Sequence, residues 1–408
     1  MSLAEELLGL HNSDEYPMHM PGHKRMDMGV LSESYHLDIT EIEGYDNLYD
    51  AQGILKTAME NAAKVYGCKD TYFLVNGSTT GILTAICAVA NRGKRIIAAS
   101  NCHRSVKNAI ELMNLNSEYL NIDYVLAKSI AGGISVGELE EKIKLFNDNN
   151  EEICAVVVTS PSYDGIVSNI PDTVRICHRY NIPLIVDEAH GAHFSMDERL
   201  PESALKYGAD VVIHSTHKTL AAMTQTALLH VQGSLVDRRR VEKYWSTFQT
   251  SSPSYVLMAS IDSALRQIQE NGKDLWDVFF DNKKIFLEKT KLLNNLHILS
   301  TEDIANEENM VALDPCKVTV VVKSDAINGT GLQKILLEQY HIQIELANEE
   351  KVIAIVTYAD SKDGFDRFAK ALQEIDKKID AGGIIENGNT QASSAIDEKK
   401  HLYAPCIT

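Results

Sequence analysis

At 408 residues, with 44% hydrophobic and 24% charged side chains, the chain is long enough for a sizeable core in more than one lobe and reads as a soluble globular protein. Its 57 acidic against 39 basic residues leave a formal charge of −18, which argues against a general binder of nucleic-acid backbone. Seven cysteines, none in a C-x-x-C pair, suit a reducing cytoplasm. The N-terminus has no basic region or long apolar core, and no apolar run is long enough to span a bilayer, so neither export nor membrane insertion is expected.

In chain order, an N-terminal segment over 1–45 leads into short β-rich runs that alternate with helical patterns. Strands are expected at 72–75, 95–99, 155–159, 184–186, 211–214 and 227–231. Helical patterns fall at 81–90, at 105–113 and at 172–180, where Pro171 suits a first turn. This rhythm predicts an α/β fold around a largely parallel sheet, with residues 46–260 forming one large lobe. A charged helical stretch over 257–293 bridges to a small α+β lobe within 261–380. The order there is strand 317–323, helix 331–339, strands 342–346 and 351–357, and helix 364–379. Residues 381–408 begin polar and glycine-rich and read as a loose tail.

Two residues carry the chemistry. Leu184-Ile185-Val186-Asp187 places an acid at the end of an apolar run, where parallel strands open into a ligand crevice, and Lys218 follows in Ser215-Thr216-His217-Lys218. A cofactor aldehyde needs a lysine amine for its Schiff base, and a pyridinium nitrogen needs a carboxylate to stay protonated, so the pair points to pyridoxal 5'-phosphate. Asn76-Gly77-Ser78-Thr79-Thr80-Gly81, between a strand and a helix, offers N–H groups and hydroxyls at a helix N-terminus, a phosphate cradle or a plain N-cap. His103, in Asn101-Cys102-His103-Arg104-Ser105, could stack on a flat ligand or pack in the core. The Thr159–Gly165 stretch (159–165) ends another strand in a turn at the same crevice.

Competing motifs have less behind them. Asp187-Glu188-Ala189-His190 spells a helicase box, but no triphosphate-binding loop accompanies it. Ser215-x-x-Lys218 fits an acyl-transfer motif without that motif's partners. His190 and His193 lack the remaining ligands of a zinc site, so no metal is expected.

Taken together, Met20-Pro21-Gly22-His23-Lys24, Asp38-Ile39-Thr40-Glu41, Asp46-Asn47-Leu48, Asn76-Gly77-Ser78-Thr79, Asn101-Cys102-His103, Val186-Asp187-Glu188-Ala189-His190-Gly191 and Ser215-Thr216-His217-Lys218-Thr219 resemble, in order, the bacterial ornithine/lysine/arginine decarboxylases. Thr250-Ser251-Ser252-Pro253-Ser254-Tyr255 and Asp314-Pro315 before Lys317-Val318-Thr319-Val320 extend the likeness over about residues 16–360. The resemblance implies an aspartate-aminotransferase-like fold, with a mostly parallel seven-stranded sheet and a small α+β lobe. It makes Lys218 the Schiff-base lysine, Asp187 the pyridinium partner and His103 the stacking ring, with His190 beside the cofactor and Ser78, Thr79, Ser215 and His217 on its phosphate. It also implies a homodimer in which the 250–255 loop reaches the neighbouring site.

The reaction so implied is decarboxylation of arginine, lysine or ornithine to the amine, in polyamine biosynthesis, with arginine first on analogy. A cationic substrate calls for carboxylates at the far end of the pocket, and Asp38, Glu41, Asp46 and Glu345 are the candidates. Family members usually continue into a longer C-terminal domain, and the short biosynthetic forms lack a receiver-like N-terminal domain, so this chain reads as a short form. The alternatives are another reaction on the same cofactor, such as transamination or elimination, and an inactive relative with a binding or regulatory role.

Overall fold

The computed structural model describes residues 1–382 apart from 14, 22, 28–30, 127 and 128. Gly22 of the Met20–Lys24 motif and most of the expected tail, 383–408, therefore lie outside the described residues.

Strands such as Ile153–Thr159, Leu184–Asp187, Val211–His214 and Ala227–Val231 are apolar along nearly their whole length, so both faces of their sheet must be covered. They join Asp70–Leu74, Arg95–Ala99 and Asn116–Leu120 in a seven-stranded sheet. By first residue, the order across it is Asp70, Ala227, Val211, Leu184, Ile153, Arg95, Asn116. Ala227–Val231 runs antiparallel to both of its neighbours, and the remaining pairs are parallel. Two apolar clusters pack on the two faces.

All six strands expected in the large lobe are present, each with ends within two residues of its expected range. The seventh, Asn116–Leu120, is an edge strand in which only Leu120 is buried, so it carries no alternating apolar signal. Helix Gly77–Val89 lies close on the sheet: a Cβ on Gly81 would stand 2.8 Å from Leu74 Cδ1 and 3.0 Å from Ile213 Cγ2.

Ser254 caps a 36-residue helix, Tyr255–Thr290, whose buried Phe279 and Phe286 face the helix Lys362–Asp380 of the small lobe. That lobe has a four-stranded antiparallel sheet in the order Leu296–Ile298, Lys317–Val322, Lys351–Ile355, Leu346–Ala347. The strand expected over 342–346 shrinks to Leu346–Ala347. The helix Gly329–Tyr340 is closed by His341 at φ +54, with Ile342 N–H turned back to Leu336 C=O, and Ile342 and Ile344 pack on the core outside any ladder. Their alternation was a packing pattern, not a strand pattern.

Gly329 opens that helix against the turn before Lys351. A Cβ there would lie 2.3 Å from Asn348 O and 2.4 Å from Lys351 O. Both atoms are backbone, so relief requires moving the chain. Gly329→Ala is expected to cost about 1–3 kcal/mol, seen as a lower urea midpoint with an unchanged slope. Among the described residues, no helix is long and apolar enough to cross a membrane.

Candidate active site

The parallel strands end at a cavity of about 1010 Å³ between the two lobes. Gly77, Ser78 and Thr79 line it from one helix N-terminus, His103 from another, Asp187 and His190 from a strand end, and His217 and Lys218 from the turn after Val211–His214. The small lobe closes the far side with residues that include Glu345 and Lys351. Residues more than a hundred positions apart thus meet because each terminates a strand of one sheet.

The cradle is set by the backbone. Gly77 takes φ +75 and its N–H donates to Gln225 C=O, which turns the strand into the helix and leaves Ser78 and Thr79 in its first turn at the positive end of the helix dipole. His103 caps the helix Arg104–Leu112: its Nδ1 accepts the N–H of Ser105 at 3.2 Å and lies 2.7 Å from Ser105 Oγ, which fixes the ring. His217 donates from Nδ1 to Thr226 C=O at 2.8 Å.

Electrostatics follow from enclosure. Burial raises the Asp187 carboxyl above its ordinary range, against the pull of Lys218, His103 and the Ala189 N–H that donates to it at 3.2 Å. Burial likewise pulls the Lys218 ammonium down, against Asp187 and Glu345, and it holds the His103 and His217 rings low. His190 is driven well below its usual value by burial and by two lysines, Lys317 and Lys218. The pocket therefore favours a neutral imidazole and eases deprotonation of the Lys218 amine.

The remaining sequence candidates and their neighbours fall as follows. Asp46 does not line the cavity of its own chain. It caps the helix Ile54–Tyr66, accepting from Leu55 N–H at 3.1 Å, and holds the turn before it through Gln52 N–H at 2.8 Å and Gly53 N–H at 2.7 Å. Asp38 pairs with His23 at 3.1 Å, and Glu41 also lies outside the cavity lining. Of the four substrate candidates only Glu345 lines it, and Tyr163 donates its hydroxyl to Glu345 Oε1 at 2.5 Å. Ser215 is buried at the turn before His217, and its Oγ has no hydrogen-bond partner. His193 does not join His190: its Nε2 lies 2.8 Å from Asp314 Oδ1, both residues being fully buried. Glu188 turns away into the core, accepting from Ser203 Oγ and Ala204 N–H and pairing with His214.

Sequence reasoning passed over Lys317 as a site residue, naming it only within a motif. It is 3% exposed, and its Nζ lies 2.8 Å from His190 Nδ1 and 5.0 Å from the centre of the Tyr163 ring. The available signal was a lysine opening the otherwise apolar run Val318-Thr319-Val320-Val321-Val322.

A planar, anionic, aldehyde-bearing ligand fits these residues. Asn101 Oδ1 and Thr159 Oγ1, on cavity-lining residues, are buried without hydrogen-bond partners, as is Ser215 Oγ in the turn before His217, and such atoms call for a polar ligand. An enclosed acid, an amine of lowered pKa and a helix N-terminus are the groups a pyridinium, an aldehyde and a phosphate require.

Comparisons agree with this geometry. A family described as "Orn/Lys/Arg decarboxylase, major domain" matches residues 4–364. An uncharacterized protein of Bacillus subtilis, YaaO, is 34% identical over 379 residues, covering 90% of this chain and 75% of its own length. A Halalkalibacterium halodurans protein named arginine decarboxylase is 32% identical over 372 residues, covering 90% of this chain and 74% of its own length. The solved Francisella novicida lysine decarboxylase LdcF superposes with a TM-score of 0.78 at 20% identity, covering 99% of this chain, while this chain spans only 63% of that one. Serine palmitoyltransferase of Sphingomonas wittichii shares the fold at a TM-score of 0.62 and 15% identity, covering 81% of this chain and 77% of its own. A match over residues 4–364 means that this chain belongs to the Orn/Lys/Arg decarboxylase family.

Proposed function

We propose that the chain is a pyridoxal-phosphate-dependent decarboxylase of a basic amino acid, releasing CO2 and the corresponding amine. The observation that carries this reading is the presence of buried Asp187 and half-buried Lys218 on one cavity that also holds a helix N-terminus. When bound, pyridoxal phosphate supplies an aldehyde carbon and a protonated ring that takes up the electron pair left by departing CO2. Lys218, its amine eased toward the free base, is the group that would hold the aldehyde carbon. Asp187 would keep a proton on the ring nitrogen. His103 would cover the ring, and Ser78, Thr79, Ser215, His217 and the helix N-terminus would hold the phosphate.

At the far wall, Glu345 is the carboxylate for the substrate's distal cation, presented by Tyr163. Similarity to proteins named arginine decarboxylases puts arginine ahead of lysine and ornithine. A second copy is proposed to complete the site through the exposed residues 250–252. Tyr255 itself is held inside its own chain, its hydroxyl donating to Tyr45 and Asp46 carbonyls at 2.8 Å. A cytoplasmic setting fits the six described cysteines, all free thiols.

Adding pyridoxal phosphate to the purified chain should produce a visible absorbance band, and one of the three amino acids should then release CO2. Keto-acid formation in place of CO2 would replace the proposed reaction with transamination, and no band would remove the cofactor. Glu345→Gln is expected to raise KM for the preferred substrate roughly tenfold or more, about 1.4 kcal/mol per decade, with a smaller change in kcat, measured by steady-state kinetics.

A further inference from the structure

The phosphate cradle is built from two chain segments that meet near one edge of the large sheet. Leu74 pairs with Ala227 in the antiparallel ladder of Asp70–Leu74 with Ala227–Val231, so the turn before Ala227 stands against the turn after Leu74. Across that junction the Gly77 N–H donates to Gln225 C=O at 2.8 Å. Asn76 supplies no side-chain cap to the helix Gly77–Val89, so the first N–H groups of that helix are left for another acceptor.

Gln225 is the unusual residue at this junction. It takes φ +78, and among the described residues other than glycine it is the only one that combines a left-handed φ with a place in the cavity lining. The turn that carries it is fastened at several points. Ala221 N–H donates to Tyr358 Oη at 2.8 Å, Met223 N–H to Ser260 Oγ at 3.2 Å and Thr226 N–H to Met223 C=O at 3.2 Å, while Thr226 C=O accepts from His217 Nδ1. A glycine at 225 would keep all of these bonds without a Cβ to strain the backbone. The turn itself has no need of a side chain there, and strain held at a ligand pocket marks a side chain kept for the ligand. Gln225 is exposed, and its side-chain amide makes no hydrogen bond among the described residues. Its two amide N–H groups are neutral donors, suited to phosphate oxygens at a helix N-terminus.

We propose that Gln225 is a further cofactor-binding residue, its carboxamide N–H donating to the phosphate that Ser78, Thr79 and the helix N-terminus receive. The assignment rests on the cofactor reading of Lys218 and Asp187. Backbone and side chain of one residue then serve one anion: the Gln225 carbonyl fixes the entry of the helix through Gly77, and the amide closes the cradle from the opposite segment.

The test separates the phosphate from the rest of the cofactor. The full chain, freed of cofactor, is titrated with pyridoxal phosphate and, separately, with pyridoxal, which carries the ring and aldehyde without the phosphate. The visible band gives a dissociation constant for each. Gln225→Gly suits the left-handed backbone, and it should weaken pyridoxal phosphate roughly tenfold while pyridoxal changes by less than about twofold. Gln225→Glu keeps the size and sets a carboxylate against the anion, so the selective loss should grow to roughly a hundredfold. Equal losses for the two ligands, or no loss in either variant, would overturn the role of Gln225 and leave the cofactor reading standing. A wild type that shows no band with either ligand would overturn the cofactor reading, and the role of Gln225 with it.

Discussion

Replacing Lys218 with alanine is expected to leave a folded chain that shows no visible band with pyridoxal phosphate and has lost decarboxylation by on the order of 10⁵-fold. The two effects separate because the amine serves chemistry and contributes little to stability. Burial already pulls the Lys218 ammonium down, so the native chain carries the cost of enclosing it. Alanine removes that cost and opens a small void, and these opposed terms should leave the unfolding midpoint within about 1 kcal/mol of wild type. Absorbance, CO2 release and urea titration of the same preparation test all three statements. Turnover surviving at even a tenth of wild type would show that another amine holds the cofactor.

Asp187→Asn is the second large effect, and its two consequences have opposite signs. Asparagine keeps the shape but cannot hold a proton on the ring nitrogen, so kcat should fall on the order of 10³-fold, the scale seen when a preorganised charge-stabilising group is lost. Stability of the cofactor-free chain should rise. The folded carboxyl pKa is raised above its unfolded value, so the native state binds the proton more tightly, and stability is highest below the unfolded value and falls as pH climbs through the folded one. At neutral pH the wild type bears that penalty and the asparagine variant does not. The gain should fade as pH is lowered toward the carboxylate range. A variant less stable than wild type at pH 7 would contradict the account of Asp187 as an acid held for function.

Much of this was legible in the sequence because the strands and the site obey the same rule. Ile153–Thr159, Leu184–Asp187 and Val211–His214 are apolar enough to be buried on both faces, and the turns after them present Asp187 and Lys218 on one side of the sheet. Chain order was sufficient to bring acid and amine together. The far wall was harder to read. Asp38, Glu41 and Asp46 share a residue type with Glu345, and only packing shows that Asp46 is spent on capping a helix and Asp38 on His23. Lys317 was hidden for another reason: a lysine at a strand start looks solvated until the turn at Gly165 is seen to close over its stem. The edge strand Asn116–Leu120 had no apolar pattern to find.

The turn over 160–165 is riveted to the small lobe. Asp164 forms a buried ion pair with Lys351, its carbonyl accepts from Thr319 Oγ1, Gly165 C=O accepts from Asp314 N–H, and Ile166–Ser168 runs in a ladder with Met310–Leu313. Swinging the lobes apart would have to break this ion pair, the two hydrogen bonds and the ladder together. The wall bearing Lys218 and the wall bearing Glu345 thus behave as the two jaws of a fixed caliper. A ligand spanning them is sized against a set gap, and a side chain one methylene too short cannot draw the jaws together.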